Sequence, residues 1–234
     1  MMEVNQNESD RLWSYYQNQA CEAFESSYSR LQFLAKRCPS GSRVLNIGVG
    51  SGYLESLLMQ RGVLAHSLDP SELTIKRMNE EQGMAGRAKQ GYCHATPFPD
   101  NSFDCVIMTE VLEHIQKGLL DASLREVRRV LKSGGRFIGT VPYREVMRAN
   151  EVFCPHCQAH FHRWGHVHSF DLQTLKHLVE SNGLRVEKLH TRAFPDFSRF
   201  GARLFLRAAF RYILGRMGEP LIAPNIYFVC RRTE

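Results

Sequence analysis

An apolar run that leads into closely spaced glycines, then a helical segment, a second apolar run and an acid, constrains this chain more than any other feature. Residues 44–53 read Val-Leu-Asn-Ile-Gly-Val-Gly-Ser-Gly-Tyr, and Asp69 follows the next apolar run. Glycines after a strand permit a tight turn and a close approach of a ligand to the backbone. An acid after the next strand can accept hydrogen bonds from both hydroxyls of a ribose.

This spacing favours a nucleoside over a dinucleotide as the ligand. The dinucleotide fingerprint has a glycine at the position of Tyr53, so the turn suits a ligand without a pyrophosphate. The structural alternative is a tight turn in which Asp69 only caps a helix. The ordered succession of strand, turn, helix, strand and acid argues against that alternative.

Apolar runs and amphipathic segments alternate along the chain, which predicts a doubly wound α/β fold. The predicted strands are 43–47, 63–68, 88–93, 104–109, 136–141, 184–190 and 225–231, and the predicted helices between them include 52–60, 71–81, 119–131 and 171–181. Helices of this length between strands imply right-handed crossovers. The expected architecture is a Rossmann-like, mainly parallel sheet with helices on both faces and an antiparallel last strand.

We expect the chain to divide into a helical N-terminal extension over residues 1–38 and one larger α/β domain over 39–234. Apolar side chains recur at helical spacing over residues 8–37, and the turn cluster Cys-Pro-Ser-Gly-Ser follows. We expect the extension to act as a lid. Two insertions are expected within the domain, a Cys/His-rich segment at 143–170 and a basic amphipathic segment at 192–224.

Composition and charge limit the cellular location and the type of partner that can be expected. No apolar run approaches the roughly 20 residues that span a bilayer, the polar start lacks a signal-peptide pattern, and the seven cysteines are an odd number. These features predict a cytoplasmic protein with reduced thiols. The net charge is +6, and residues 151–234 hold 12 basic and 7 acidic side chains, so an anionic partner would prefer that part.

Four ordered segments resemble the class I S-adenosylmethionine-dependent methyltransferases, particularly the small-molecule group that contains enzymes of the ubiquinone-biosynthesis type. They are VLNIGVGSGYL, HSLDPS, ATPFPDNSFDCVIMTEVLEHI and LKSGGRFIGTVP. The resemblance runs from about Val44 to Tyr143. It implies S-adenosylmethionine as the cofactor and methyl transfer to a small molecule as the activity.

The resemblance also assigns the cofactor site. The residues that it places there are Asn46, Gly48, Gly50, Gly52, Asp69, His94, Ala95 and Glu110. The glycines would line the methionine part, the acid would hold the ribose, and residues 94–95 would lie beside the adenine. Glu110 would border the methyl-transfer site.

Two positions depart from the family pattern, which usually has aspartate where Asn46 and His94 stand. Asn46 brings no charge toward the cofactor's ammonium, and His94 cannot accept from the adenine amine as a carboxylate does. These departures motivate one hypothesis of a different class, a non-catalytic binding protein on a methyltransferase fold.

Three side chains at the end of the fourth predicted strand are candidate catalytic groups, namely Glu110, Glu113 and His114. Methyl transfer from a sulfonium is a direct displacement, so a base is needed only where the acceptor must lose a proton. His114 suits a hydroxyl acceptor because its unperturbed pKa is about 6.5. Structural roles are the alternatives: His114 bonding its own loop, and Glu113 capping the next turn.

The segment from Cys154 to His166 predicts a zinc site. Cys154, Cys157, His162 and His166 have spacings that can close a tetrahedral structural site within one loop. His160 could replace the first of these histidines, and His168 the second. A catalytic metal and a metal-free cysteine pair are the alternatives.

A further alternative uses the same segment without metal. One of its histidines would reach over the sheet edge as the general base, with Phe161 and Trp164 as the apolar wall of the acceptor pocket.

Arginines recur every four residues at 199, 203, 207 and 211, among apolar side chains over 197–217. This pattern indicates a basic amphipathic helix, which suits a packed helix with a solvated face, peripheral contact with an anionic membrane or lipid, or an anionic acceptor. Nucleic acid is less favoured because no RNA-binding module accompanies the helix. A second hypothesis nevertheless makes the acceptor RNA or protein, docked through the zinc loop and the arginine stripe.

Overall fold

The computed structural model describes residues 6–195, 206, 209–214, 217, 222 and 224–233, with side chains from residue 8 onward. Most of the basic segment predicted at 197–217 therefore lies outside the described residues.

The described elements alternate as expected. The strands are β1 (Arg43–Ile47), β2 (Leu64–Asp69), β3 (Ala88–Gln90), β4 (Phe103–Thr109), β5 (Leu131–Pro142), β6 (Glu151–Phe153), β7 (His160–His162), β8 (Leu184–Arg192) and β9 (Asn225–Arg232). The helices are α1 (Gln6–Asn18), α2 (Tyr28–Ala35), α3 (Tyr53–Gln60), α4 (Glu72–Glu80), α5 (Leu120–Val130) and α6 (Leu172–Ser181). Short 3-10 turns cover Cys21–Ser27, Leu112–His114 and Met147–Asn150.

Seven strands form one sheet in the order β3-β2-β1-β4-β5-β9-β8. The pairs among the first five strands are parallel, whereas β9 is antiparallel to both β5 and β8. The predicted α/β fold with an antiparallel last strand is confirmed. The last strand lies inside the sheet rather than at its edge.

The sheet is buried on both faces. Leu45 and Ile47 belong to one apolar cluster with Phe103 and Phe137, while Val44 belongs to a second cluster with Leu58. Because successive side chains on a strand point to opposite faces, this alternation places one core on each side of the sheet. Parallel β1, β2 and β4 consequently end at one common edge, where open α/β sheets bind ligands.

The N-terminal extension differs from the single helix predicted over residues 8–37. It breaks at Ala20, whose φ of −135° is not helical, and continues as a 3-10 turn and then α2. The end of α1 is anchored on α4, since Asn18 Nδ2 donates to Thr74 Oγ1 at 3.0 Å. This polar anchor competes with helix continuation and leaves α1 lying across the ligand edge of the sheet.

The Cys/His-rich insertion also differs from the prediction, which found little periodicity there. Its core is a hairpin in which β6 pairs antiparallel with β7. The predicted third strand is shorter than expected, ending at Gln90, and β5 begins at Leu131, ahead of the predicted Arg136.

Candidate functional site

A cavity of about 640 Å³ lies at the carboxyl edge of the sheet. Its lining includes the glycine turn, Asp69 and Glu110, together with Trp13 and Gln17 of α1. The volume is typical of a site for a small molecule or cofactor. The N-terminal extension thus covers the sheet edge that carries the predicted cofactor residues.

The three glycines of the turn are needed for different structural reasons. All have positive φ, 85° at Gly48, 59° at Gly50 and 84° at Gly52, which side chains rarely adopt. Gly48 and Gly50 line the cavity. A Cβ on Gly52 would lie 2.4 Å from Gln82 Oε1 and 2.8 Å from Met78 Sδ. Gly52 lies outside the cavity wall that the described residues form, and its lack of a side chain permits close packing against Met78 of α4 and Gln82; its predicted cofactor contact stays a prediction.

Asp69 lies in the cavity wall with only 1% of its surface exposed. Its Oδ2 accepts hydrogen bonds from Val49 N and Gln17 Nε2, both at 2.9 Å, and its Oδ1 accepts from Ser71 N at 2.9 Å. Burial raises the pKa of Asp69, and these three donors oppose that rise. A carboxylate has about four acceptor positions, so one further donor such as a ribose hydroxyl fits, and a second would compete with Gln17.

Asn46 is fully buried beneath the glycine turn and also lines the cavity. Its Nδ2 donates to Glu55 Oε1 at 2.8 Å, and Ser67 Oγ donates to the same oxygen at 2.7 Å. Burial raises the pKa of Glu55, whereas these two donors lower it. Sequence reasoning missed Glu55, although an acid inside the otherwise apolar stretch at the start of α3 was a usable signal.

The two residues predicted to lie beside the adenine occupy different places in the structure. His94 lines the cavity and stacks on Tyr92, with ring centroids 5.5 Å apart. Ala95 is exposed, and it lies outside the wall as far as the described chain defines it, because Ala95 N donates back to Tyr92 O in a turn. The missed partner is Tyr92, whose hydroxyl donates to Asp10 of α1 at 2.6 Å.

Glu110 is held rigidly at the end of β4. Its φ of 55° is rare for a side-chain-bearing residue, and such strain is often found at functional sites. Thr140 Oγ1 donates to Oε1 at 2.9 Å, Asn225 Nδ2 donates to both oxygens at 3.0 and 2.9 Å, and Arg30 Nη1 lies 3.8 Å from Oε2. The glutamate lines the cavity as predicted. Its three partners come from distant parts of the chain and carried no sequence signal.

Glu113 and His114 occupy different environments. Glu113 is 0% exposed and lies behind the described cavity wall, so its predicted catalytic role stays a prediction that this structure does not support. Burial first, and then the charge of Glu110, raise its pKa well above the ordinary value. His114 lines the cavity and packs edge-on against Trp13, at a centroid distance of 4.8 Å. Burial and the neighbouring His166 lower the pKa of His114 well below its ordinary value.

The predicted Cys/His zinc ligands are not brought together. Cys154 and Cys157 lie at the tip of the β6–β7 hairpin, whereas His162 pairs with Glu151, three residues down the strand from Cys154. Three residues of strand span about 10 Å. Neither cysteine joins a group of three potential metal ligands within residues 6–195. The four predicted zinc ligands therefore do not form one group in the described structure.

The two predicted histidine ligands do meet each other. The rings of His162 and His166 stack with centroids 4.5 Å apart, and both approach Glu145. The replacements considered for them lie elsewhere: His160 pairs with Glu151 at 3.0 Å, and His168 Nε2 bonds Ile115 O at 2.8 Å. Of the residues named in the general-base alternative, His166 and Trp164 line the cavity, whereas Phe161 lies outside the wall that the described residues form.

Comparison with known proteins gives a family match. The model of the methyltransferase domain family matches residues 12–189. The chain is 29% identical over 152 residues to the ubiquinone/menaquinone biosynthesis C-methyltransferase of a Shewanella species, covering 60% of this chain and 59% of that protein. It is 35% identical over 103 residues to a sterol 24-C-methyltransferase of Gibberella zeae, covering 42% and 27%. The match thus spans less than two thirds of the length of either relative.

Solved structures share the fold. The 1,6-didemethyltoxoflavin-N1-methyltransferase of Burkholderia thailandensis, with bound 1,6-didemethyltoxoflavin and S-adenosylhomocysteine, has a TM-score of 0.65 at 14% identity and covers 97% of this chain and 87% of that one. An S-adenosylmethionine-dependent methyltransferase from Mesorhizobium loti has a TM-score of 0.62 at 17% identity, covering 88% and 98%. Within the described part of the chain, no helix combines the length and apolar character that crossing a membrane requires.

Proposed function

This chain belongs to the class I S-adenosylmethionine-dependent methyltransferases, and we propose that it transfers a methyl group to a small-molecule acceptor in the cavity at its sheet edge. The observation that carries the proposal is the convergence of the glycine turn, Asp69 and Glu110 on one cavity under α1. The cofactor would supply an electrophilic methyl group on a sulfonium.

The cavity residues fit such a cofactor. Three buried polar atoms, Asn46 Oδ1, Ser51 Oγ and Trp13 Nε1, have no hydrogen-bond partner in the described structure, and all three residues line the cavity. A buried polar atom without a partner calls for an explanation, and a ligand rich in polar groups is one. Asp69 keeps an acceptor position for a ribose hydroxyl. Asn46 would accept from the cofactor's ammonium through Oδ1.

We place Glu110 rather than His114 beside the acceptor. The Nδ1 atom of His114 is buried without a partner among residues that are described, and the ring also bonds the Gly165 backbone, so neither nitrogen is open to an acceptor in the cavity. Glu110 keeps its carboxylate fixed through Asn225 and Thr140 and can orient an acceptor by accepting its hydrogen bond. Orientation of this kind supplies much of the acceleration of a direct displacement.

The acceptor class follows from the remaining wall. The aromatic side chains of Trp13, Tyr16, Phe24 and Trp164 line the cavity and form a chain of ring contacts along its wall. We infer an acceptor with an apolar body. The sterol methyltransferase and the ubiquinone/menaquinone biosynthesis methyltransferase among the relatives support this inference by analogy.

We propose that α1 is a lid and that the enzyme works in the cytoplasm. The lid proposal is supported by the polar contacts of α1 with Asp69, Thr74 and Tyr92, which ligand exchange would have to break. Peripheral membrane contact through residues 197–217 is a proposal from the sequence alone.

Calorimetric titration with S-adenosylhomocysteine tests the proposal. Wild type should bind with micromolar affinity, and Asp69→Asn should bind at least about tenfold more weakly, because an amide replaces the charge that the ribose hydroxyls meet. Glu81→Gln, an exposed change at the end of α4, is the matched control and should bind like wild type. Folded wild type that binds nothing would favour the non-catalytic hypothesis.

A further inference from the structure

We propose that Glu113, His114 and His166 form a binding site for a divalent first-row transition ion behind the cavity wall. One ligand atom of each residue lies within 4.8 Å of those of the other two. The inference goes beyond methyl transfer and does not depend on it, because metal binding is measured without cofactor or acceptor.

The first observation is a carboxylate without partners. Glu113 is 0% exposed, and neither of its oxygens accepts a hydrogen bond from any described residue. A fully buried carboxylate is strongly destabilising unless it is paired, so its place in the interior calls for a cation. The ordinary cationic side chains do not meet this need: Arg30, the cation named among its electrostatic neighbours, makes its ion pair with Glu110.

The second observation is the state of the two imidazoles. Nδ1 of His166 is hydrogen-bonded to Glu145, which leaves Nε2 with a lone pair when the ring is neutral. In His114 the ring bonds the Gly165 backbone while Nδ1 stays buried and unpartnered as far as the structure describes. Histidines that bind metals almost always donate their second N–H to a carboxylate or a backbone carbonyl. Glu145 and Gly165 are therefore placed as outer partners of two ligands.

A neighbouring group of potential ligands consists of Glu145, His162 and His166. It is a poorer metal site because one of its imidazoles has no free lone pair. Nδ1 of His162 accepts backbone N–H groups from Trp164 at 3.3 Å and His166 at 3.1 Å. Its Nε2 must then carry the proton in the neutral ring, so His162 has no lone pair left for a metal. Glu145 and His162 support His166 rather than coordinate an ion.

Two imidazole nitrogens and one carboxylate favour zinc, cobalt or iron over magnesium and calcium, which prefer oxygen. The ion would neutralise Glu113 and tie the end of β4 to the Cys/His-rich insertion. This is the structural role that the sequence predicts for zinc. His166 is the ligand that the predicted zinc site and the site proposed here have in common. Water would complete the coordination.

Titration of purified, metal-stripped protein with Co²⁺ tests the site. We expect one equivalent to bind, with visible ligand-field absorption and no near-ultraviolet band from thiolate-to-cobalt charge transfer. Zn²⁺ should displace the cobalt and raise the melting temperature of the protein. A thiolate band, or stoichiometric binding that a Cys154→Ser/Cys157→Ser double variant loses, would overturn the assignment.

Variants of similar shape locate the ion. Glu113→Gln and His166→Gln should each weaken cobalt binding at least tenfold, and Glu145→Gln by tenfold to a hundredfold, the usual effect of an outer partner. His160→Gln, an exposed change on the same hairpin, is the matched control and should bind like wild type. Circular dichroism establishes that each variant is folded before titration. Folded Glu113→Gln and His166→Gln proteins with wild-type affinity, or wild type that binds no Co²⁺, would sink the proposal.

Discussion

The side-chain amide of Asn46 donates a 2.8 Å hydrogen bond to the carboxylate of Glu55, and both residues are 0% exposed. The acid that the family pattern has at position 46 is thus absent, yet a buried acid stands directly beneath that position. The two side chains work as one unit: an amide can donate to the glutamate, whereas an aspartate could not. This pairing explains why the departure at Asn46 does not break the cofactor turn.

Restoring the family residue alone should therefore destabilise the protein. Asn46→Asp places a second carboxylate against Glu55 with no donor between them, and breaking a buried pair in this way costs about 3–5 kcal/mol. We expect a lower urea midpoint at neutral pH. In the double variant Asn46→Asp/Glu55→Gln the donor and acceptor are exchanged, and most of the loss should be recovered. A single variant as stable as wild type would contradict the pairing.

Stability should depend on pH through Glu55. Burial raises the pKa of Glu55, so the folded protein holds this proton more tightly than the unfolded chain does. Folding is then weakened as pH rises above the ordinary carboxyl pKa of about 4.3, until the raised folded pKa is passed. Glu55→Gln should remove this loss, so in denaturant titrations the variant should gain stability relative to wild type as the pH rises above the ordinary carboxyl pKa. A difference that is constant with pH would argue against it.

Ligand binding should be visible in tryptophan fluorescence. The chain has two tryptophans, Trp13 and Trp164, and both line the cavity. Trp13 lies 6.3 Å from the ring of Phe24, which packs over Gly50 in the predicted cofactor turn. S-adenosylhomocysteine should change the emission, and Trp13→Phe should remove most of the change. Trp164→Phe is the paired control and should keep the emission change. If Trp164→Phe removes the change and Trp13→Phe keeps it, the cofactor binds nearer to Trp164 than to Trp13.

Cysteine labelling should begin at the hairpin tip. Backbone N–H groups of Cys157 and His156, joined by the Cys157 side chain, lower the pKa of Cys154 and enlarge its reactive thiolate fraction. Burial raises the pKa of Cys230 to about 12. At neutral pH we expect iodoacetamide to modify Cys154 first, as read by peptide mass spectrometry, and Cys154→Ser to abolish the fast phase. Early labelling of Cys230 would show that the hairpin and core are arranged differently.

Much of the site could be predicted from the sequence because its residues belong to local motifs at turns and strand ends. Gly48 and Gly50 need positive φ at a strand–helix turn, Asp69 is the last residue of β2, and Glu110 follows β4 directly. Since parallel strands end at one edge, sequence order alone brings these residues to one cavity. The alternation of apolar runs with amphipathic segments likewise determined the α/β architecture.

Only the tertiary structure decided which side chains meet within the Cys/His-rich insertion. The spacing of Cys154 and Cys157 was compatible with a metal site, but the β6–β7 hairpin carries the cysteines to its tip and His162 to its base. His166 instead meets Glu113 and His114 from the end of β4. These contacts join segments about fifty residues apart, and pairing at such separation depends on hairpin register and on how α1 and the insertion close over the sheet. No local pattern encodes that geometry, because it is set by the packing of whole elements.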